Sequence, residues 1–252
     1  MKKKRGPKLG LRAKGPLAIF TRPELKTERV SYEVPTPSSV RGIFEAICWK
    51  PAIQWHVERI YIFNEISFTA MKRNEVTCKS VQPTQSRLDG GDYTYENSIE
   101  VDRITKREVK GKWKYDTPNR AQRNTVALRN VDYQFEAFFT LTDKAGADDN
   151  IYKFIDMFAR RVKNGQHFHQ PYFGCRECIA EIHPPIEKPR ERTIPISKEL
   201  GLMLWDIEFG GGGKRQNTPL FFNAKLENGK MEIPLYPIGR EEEVLYDIES
   251  AL

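Results

Sequence analysis

No stretch of these 252 residues approaches the roughly 20 consecutive apolar residues that a membrane helix needs. Cysteine is scarce as well. Cys48, Cys78, Cys175 and Cys178 are too few and too irregularly spaced to form a disulfide framework in a chain this long. The Lys-rich start imitates the first part of a signal peptide, but Arg12, Lys14 and Pro16 interrupt the apolar stretch that should follow. Acidic residues are missing from positions 1–14, which carry seven Lys or Arg. These absences exclude a membrane helix, an exported precursor and a disulfide scaffold, and the chain reads as a soluble cytoplasmic protein with no membrane partner.

What is present is a globular composition, 39% hydrophobic and 11% aromatic, with a formal charge of +7. The excess charge favours a polyanionic partner, and it is patchy. Residues 102–130 carry nine basic and three acidic side chains. The far end reverses sign with Glu241, Glu242, Glu243, Asp247 and Glu249. Basic patches with one acidic end suggest a docked polyanion plus a solvated or protein-binding tail.

Hydrophobic periodicity supplies the elements. Residues 8–20 read as a first strand. Thr36 can cap a helix with Pro37 in its first position, and Val40, Ile43, Phe44 and Ile47 recur at helical spacing until Pro51 stops it. Gly42 costs such a helix stability, so close approach of another backbone is its expected use. Residues 53–63 alternate as a strand. Residues 131–141 alternate more cleanly, with Val131, Tyr133, Phe135, Ala137 and Phe139 on one face and Asp132, Gln134 and Glu136 on the other. A second helix is expected over 149–164, ended by Gly165, then a strand over 172–182.

The resulting order β-α-β-β-α-β is that of an α+β, ferredoxin-like fold, which RNA-binding modules often use. It predicts a core domain over 1–184 with a basic inserted β-hairpin at 65–123. A small β-rich C-terminal subdomain follows over 185–252, with a strand at 202–209, a type I′ turn at Asn228-Gly229 and the acidic tail.

Several runs then resemble one family. They are Phe20-Thr-Arg-Pro-Glu24, Glu28-Arg-Val-Ser-Tyr32, and Thr36-Pro-Ser-Ser-Val-Arg-Gly42 leading to Trp49-Lys-Pro51. Arg73-Asn-Glu-Val76, Gln122-Arg-Asn124, Leu128-Arg-Asn-Val-Asp-Tyr133, Leu141-Thr-Asp-Lys-Ala-Gly146 and Gly174-Cys-Arg-Glu177 follow in order. Together, over residues 20–226, they resemble the CRISPR-associated Cas-five family of subtype I-C, in the RAMP superfamily. The resemblance implies a subunit of a type I-C Cascade surveillance complex. Such a subunit holds the 5′ handle of the CRISPR RNA beside the backbone and large subunits, and meets target DNA through the assembled complex. It also implies metal-independent cleavage of the precursor, in which a 2′-hydroxyl attacks the adjacent phosphate. That reaction needs proton transfer and a positive group beside the transition state.

The family places those groups at a Tyr, sometimes another proton-carrying residue, just before Trp-Lys-Pro and at a Lys-His pair early in the second helix. This chain has Cys48 at the first spot and Lys153-Phe154 at the second. Lys153 can still stabilise phosphate charge, Phe154 cannot carry a proton, and His167 is the nearest spare proton carrier. Expected RNA contacts are Arg22, Lys26, Arg29, Tyr32, Arg41, Trp49 and Lys50 around the first loop and helix. Lys72, Arg73, Asn74, Arg123, Asn124 and Arg129 flank the insertion, and His169 and Arg176 lie beyond the second helix. Two readings stay open: a subunit that binds and cuts, and a purely structural RNA-binding subunit.

Two constellations suggest other chemistry. His167, His169, Cys175 and Cys178 have zinc-ligand types, but in an extended strand the two cysteines would point to opposite faces, so no metal or other cofactor is expected. Residues 210–213 followed by Lys214 resemble a phosphate loop, yet Arg215 stands where Ser or Thr is required.

Overall fold

The computed structural model describes residues 4–25, 27–76, 89–90, 106–109, 112–115, 120–209, 217–240 and 246–247. The described chain is mostly strands. In order they run β1 (Lys4–Arg5), β2 (Leu9–Ala18), β3 (Arg29–Val30), α1 (Pro37–Ile47), β4 (Ile53–Ile62), β5 (Phe68–Val76), β6 (Lys106–Val109) and β7 (Lys112–Tyr115). Then come β8 (Arg120–Leu141), α2 (Ile151–Lys163), β9 (Glu181–His183), β10 (Lys198–Glu208), β11 (Thr218–Leu226), β12 (Lys230–Glu232) and β13 (Tyr246–Asp247). None of the described helices is long and apolar enough to cross a membrane.

Both helices are capped, α1 by the Thr36 that the sequence marks and α2 by Asn150. Thr36 Oγ1 accepts from the Ser39 N–H at 3.3 Å, and Asn150 Oδ1 accepts from the Lys153 N–H at 2.9 Å. Each satisfies an end donor that has no partner within its helix.

The 22-residue β8 organises the main sheet. β4 runs antiparallel along one edge of it, pairing Ile53 with Leu141 and Ile62 with Tyr133. β2 runs antiparallel along the other, pairing Leu9 with Ala137 and Ala18 with Leu128. β9 adds to β2 and β12 to β4, giving the order β12-β4-β8-β2-β9. Internal packing separates two units, residues 1–69 with 126–252, and residues 70–125. Within the second unit β6 and β7 pair antiparallel.

The helices pack on one face of the sheet through large aromatics. Phe44 of α1 stacks on Phe158 of α2 at 5.4 Å, and Trp55 of β4 lies 5.1 Å from Phe158 and 5.2 Å from Phe139. Rings of this size dominate core energetics, and these contacts fix α1 against α2.

Four expectations need correction. The opposite face of β8 is not solvated. Asp132 is 4% exposed, Gln134 2% and Thr140 0%. Residues 185–194 cross over it: Gln134 exchanges two hydrogen bonds with the Ile186 backbone, and Arg12 and Arg192 both pair with Asp132.

Residues 172–180 are not an extended strand. Gly174 sits at φ +76°, and the Cys175 and Cys178 N–H groups donate within the tight loop to Phe173 and Cys175 carbonyls. Only residues 181–183 join the sheet. A Cβ at Gly174 would collide with the Ile19 carbonyl, so the turn requires glycine.

The cysteines therefore lie in a turn, not on alternating faces. Among the described residues no three His, Cys, Asp or Glu group as a metal site.

Gly42 has no neighbour within 4 Å of where a Cβ would stand, so no backbone approaches it. Gly42→Ala should raise the unfolding free energy by about 0.5–1 kcal/mol, the intrinsic helix cost of glycine. Urea unfolding checks this, and lower stability would show that the position needs glycine after all.

The Asn228-Gly229 turn forms as expected, both residues at positive φ (48° and 69°).

Candidate nucleic-acid interface

The C-terminal end of α1 draws together most of the chemistry. A helix leaves its last carbonyls without intrahelical donors. Here the Ala46 carbonyl accepts from the Phe168 N–H at 2.7 Å and the Ile47 carbonyl from Arg161 Nη1 at 2.6 Å. The Cys48 carbonyl accepts from Trp55 Nε1 at 2.8 Å. Three separate segments thus close the helix end, and one of them, residues 165–170, carries His167 and His169. Both imidazoles are exposed. His167 also lines a cavity of about 220 Å³ with Arg161, Gln170 and Glu181. The chain then leaves α1 through Trp49 and Lys50, both exposed, with the Trp49 side chain 55% accessible.

Lys153, on the first turn of α2, donates to Asp149 at 2.9 Å. That hydrogen bond, the Gly146 N–H and the charges of Lys153 and Lys50 hold the Asp149 carboxyl below the usual carboxylate range. Lys50 and Lys153 therefore act on the same carboxylate, beside the first turn of α2.

The two residues that depart from the family pattern are both interior. The Cys48 side chain is fully buried, and burial pushes its thiol up, against the opposing charges of Arg161 and Lys50. A buried thiol held protonated is not a proton carrier for a bound strand. Phe154 is 2% exposed and meets Phe139 edge-to-face at 6.1 Å, so packing accounts for it.

The other expected contacts are dispersed. Tyr32 is 2% exposed, its hydroxyl accepts from the Leu204 N–H, and Arg22 covers its ring at 4.5 Å. It cannot stack a base in this conformation. Arg22 also pairs with Glu24. Arg41 is held by Glu45 and Asp206 at 2.9 and 2.8 Å, tying α1 to β10. Arg29 is half-buried in β3. Arg129 is exposed and donates to Ser67 Oγ, and Arg176 is exposed beyond the Gly174 turn.

In the 70–125 unit Lys72, Asn74 and Asn124 are exposed, Arg73 is half-buried, and Arg123 pairs with Glu75 at 3.1 Å. Lys26, Lys214 and Arg215 lie outside the described residues.

Sequence reasoning missed Arg161 and Phe168. Arg161 carries no motif. Phe168 stood in view between two histidines, and its exposure is the signal that alternation could not give.

A family model described as CRISPR-associated protein (Cas_Cas5) matches residues 9–234. This chain belongs to the CRISPR-associated Cas5 family.

Two curated relatives are each named "CRISPR pre-crRNA endoribonuclease Cas5d". The one from Mannheimia succiniciproducens is 38% identical over 233 residues, covering 90% of this chain and 94% of the relative. The one from Thermus thermophilus is 33% identical over 261 residues, covering 96% of each. Two solved structures share the fold. One, called "Crystal Structure of CRISPR-associated Protein", has a TM-score of 0.61 at 18% identity and covers 93% of this chain and 95% of its own. The other, a functionally uncharacterized protein SMU1763c from Streptococcus mutans, has a TM-score of 0.59 at 17% identity and covers 91% and 93%. In this Cas5 chain Trp49-Lys-Pro51 begins at the closed end of α1, to which the loop carrying the exposed histidines is bonded.

Proposed function

We propose that this chain holds the 5′ handle of CRISPR RNA in a cytoplasmic type I-C Cascade and cleaves the precursor transcript without metal. The carrying observation is that exposed Trp49 and Lys50 leave the end of α1 to which the loop bearing His167 and His169 is bonded, while Lys50 also acts on the Asp149–Lys153 pair at the first turn of α2. The sheet order, with β8 and β2 central and helices on one face, supports the ferredoxin-like assignment. The 70–125 unit and the β10–β11 hairpin are then read as appendages on that core. The names of the two curated relatives support precursor CRISPR RNA as substrate.

In the proposed reaction the RNA's own 2′-hydroxyl is the nucleophile. His167 takes its proton as the new bond to phosphorus forms, the bond from phosphorus to the 5′-oxygen breaks, and that oxygen takes a proton from water. The products are a 2′,3′-cyclic phosphate and a 5′-hydroxyl. Lys50 stabilises the charge gathering on the phosphorane-like transition state, and Lys153, at the far end of α2 from His167, meets a phosphate further along the strand. Arg22, Arg29, Arg129, Arg176 and His169, with Lys72 and Asn74 from the insertion, contact the strand, and the backbone and large subunits flank it. Target DNA meets the chain through the assembled complex. The interior positions of Cys48 and Phe154 favour a second reading, a structural subunit that binds the handle and leaves cutting to another nuclease.

Salt titration of repeat-RNA binding in EDTA tests the part common to both. The logarithm of the association constant should fall with log salt by about 0.7 for each phosphate neutralised. A flat response up to physiological salt would remove RNA binding from both readings.

A further inference from the structure

Phe168 is 79% exposed, the most accessible of the large apolar side chains among the described residues. Exposed apolar rings on loops are common, but this one is not on a loose loop. Its own N–H is bound to the Ala46 carbonyl at 2.7 Å, and Gln170 two residues on reaches the Pro171 and Ala180 carbonyls. The backbone is thus fastened to the helix end while the ring faces water. Packing does not explain the ring: its aromatic neighbour is the exposed His169, edge-on at 6.0 Å. Ala46, which anchors Phe168, is three residues before Trp49, whose indole is 55% exposed. Tyr152, 65% exposed, precedes Lys153 on the first turn of α2. Arg160 and Lys163, on the last turn of α2 just before this loop, are exposed cations, as is Lys50 beyond the end of α1.

Aromatic faces displayed on a fixed scaffold among cations suit an unpaired nucleic-acid strand, whose bases stack while its phosphates meet the lysines. A duplex would keep its bases stacked on one another and gain nothing from the rings. Resting on the RNA-binding reading above, we infer that Phe168 is a base-stacking residue, paired with Trp49, that positions single-stranded RNA over the C-terminal end of α1. It acts by orienting the strand and carries no proton itself.

The test uses the full chain in EDTA with a fluorescently labelled single-stranded repeat RNA, over a range of salt. Phe168→Ala should bind about tenfold to a hundredfold more weakly at every salt concentration, the loss of one stacked base. The slope of log affinity against log salt should stay at the wild-type value, because no phosphate contact is removed. Phe168→Trp should recover most of the affinity, and Phe168→Leu should stay weak. Phe168→Ala binding as tightly as wild type would overturn the inference. So would recovery in Phe168→Leu, since bulk and not an aromatic face would then be what matters. Failure of the wild-type chain to bind is a different result: it removes the RNA-binding reading, and this inference with it.

Discussion

Asp132→Ala should lower the unfolding free energy by about 3 kcal/mol, at the lower end of the range for breaking a buried ion pair. Asp132 is 4% exposed and accepts from Arg12 Nε at 2.8 Å and from Arg192 Nη2 at 3.3 Å. The Arg12 side chain is 13% exposed, so removing the carboxylate leaves a guanidinium with little water to replace it. That hydrogen bond and the carboxylate's charge raise the Arg12 guanidinium above its ordinary value, against the desolvation that lowers it. Arg192 is half exposed and screened, which is why the lower end applies. The variant also loosens the crossing segment at 185–194, which keeps the Gln134–Ile186 bonds and the Ile194 N–H to the Ile62 carbonyl. Asp132→Asn keeps the shape and one acceptor and should lose less. Urea unfolding with unchanged m-values is the measurement. A loss below about 1 kcal/mol would mean that Arg12 finds water or another carboxylate, and that the pair does not organise this face.

His167→Ala should slow cleavage of repeat RNA by about 10²–10⁴-fold, the usual contribution of a positioned acid or base, while binding changes little. Cys48→Ala supplies the contrast. Its thiol is buried and held protonated, so its removal should cost some stability and leave the cleavage rate near wild type. Single-turnover rates at saturating protein separate chemistry from binding in both variants. The opposite pattern, with Cys48→Ala slow and His167→Ala unaffected, would place the chemistry inside the helix end and not on its loop.

Local signals in the sequence proved reliable where short-range physics decides the outcome. The Thr36 cap, the Pro37 start, the apolar face of α1 and the Asn228-Gly229 turn all depend on neighbours a few residues away. The alternation in β8 identified the helix-facing side, but Asp132 and Gln134 looked solvated because what covers them lies about 50–60 residues further along. The Gly174 turn was masked by apolar flanks, Tyr172 and Ile179, that read as strand. The same limit applies to the site. The family resemblance marked Lys153 as a charge carrier and residue type marked His167 as a proton carrier, and the structure puts the first on the opening turn of α2 and the second beyond its last turn. Arg41, selected by the same basic-cluster argument, is instead tied to Asp206, 165 positions away. Tyr32 is enclosed by Arg22 and Leu204. Whether an arginine or an aromatic faces solvent is a tertiary fact that composition does not carry.

The central claim is that the surface at the end of α1 both binds and cuts CRISPR repeat RNA. Incubating purified chain with its repeat RNA in excess EDTA, with end-group analysis of the products, tests it most directly. The account predicts a single cut within the repeat, leaving a 2′,3′-cyclic phosphate and a 5′-hydroxyl. Intact RNA recovered from a tight complex, or products that vanish on chelation, would contradict it.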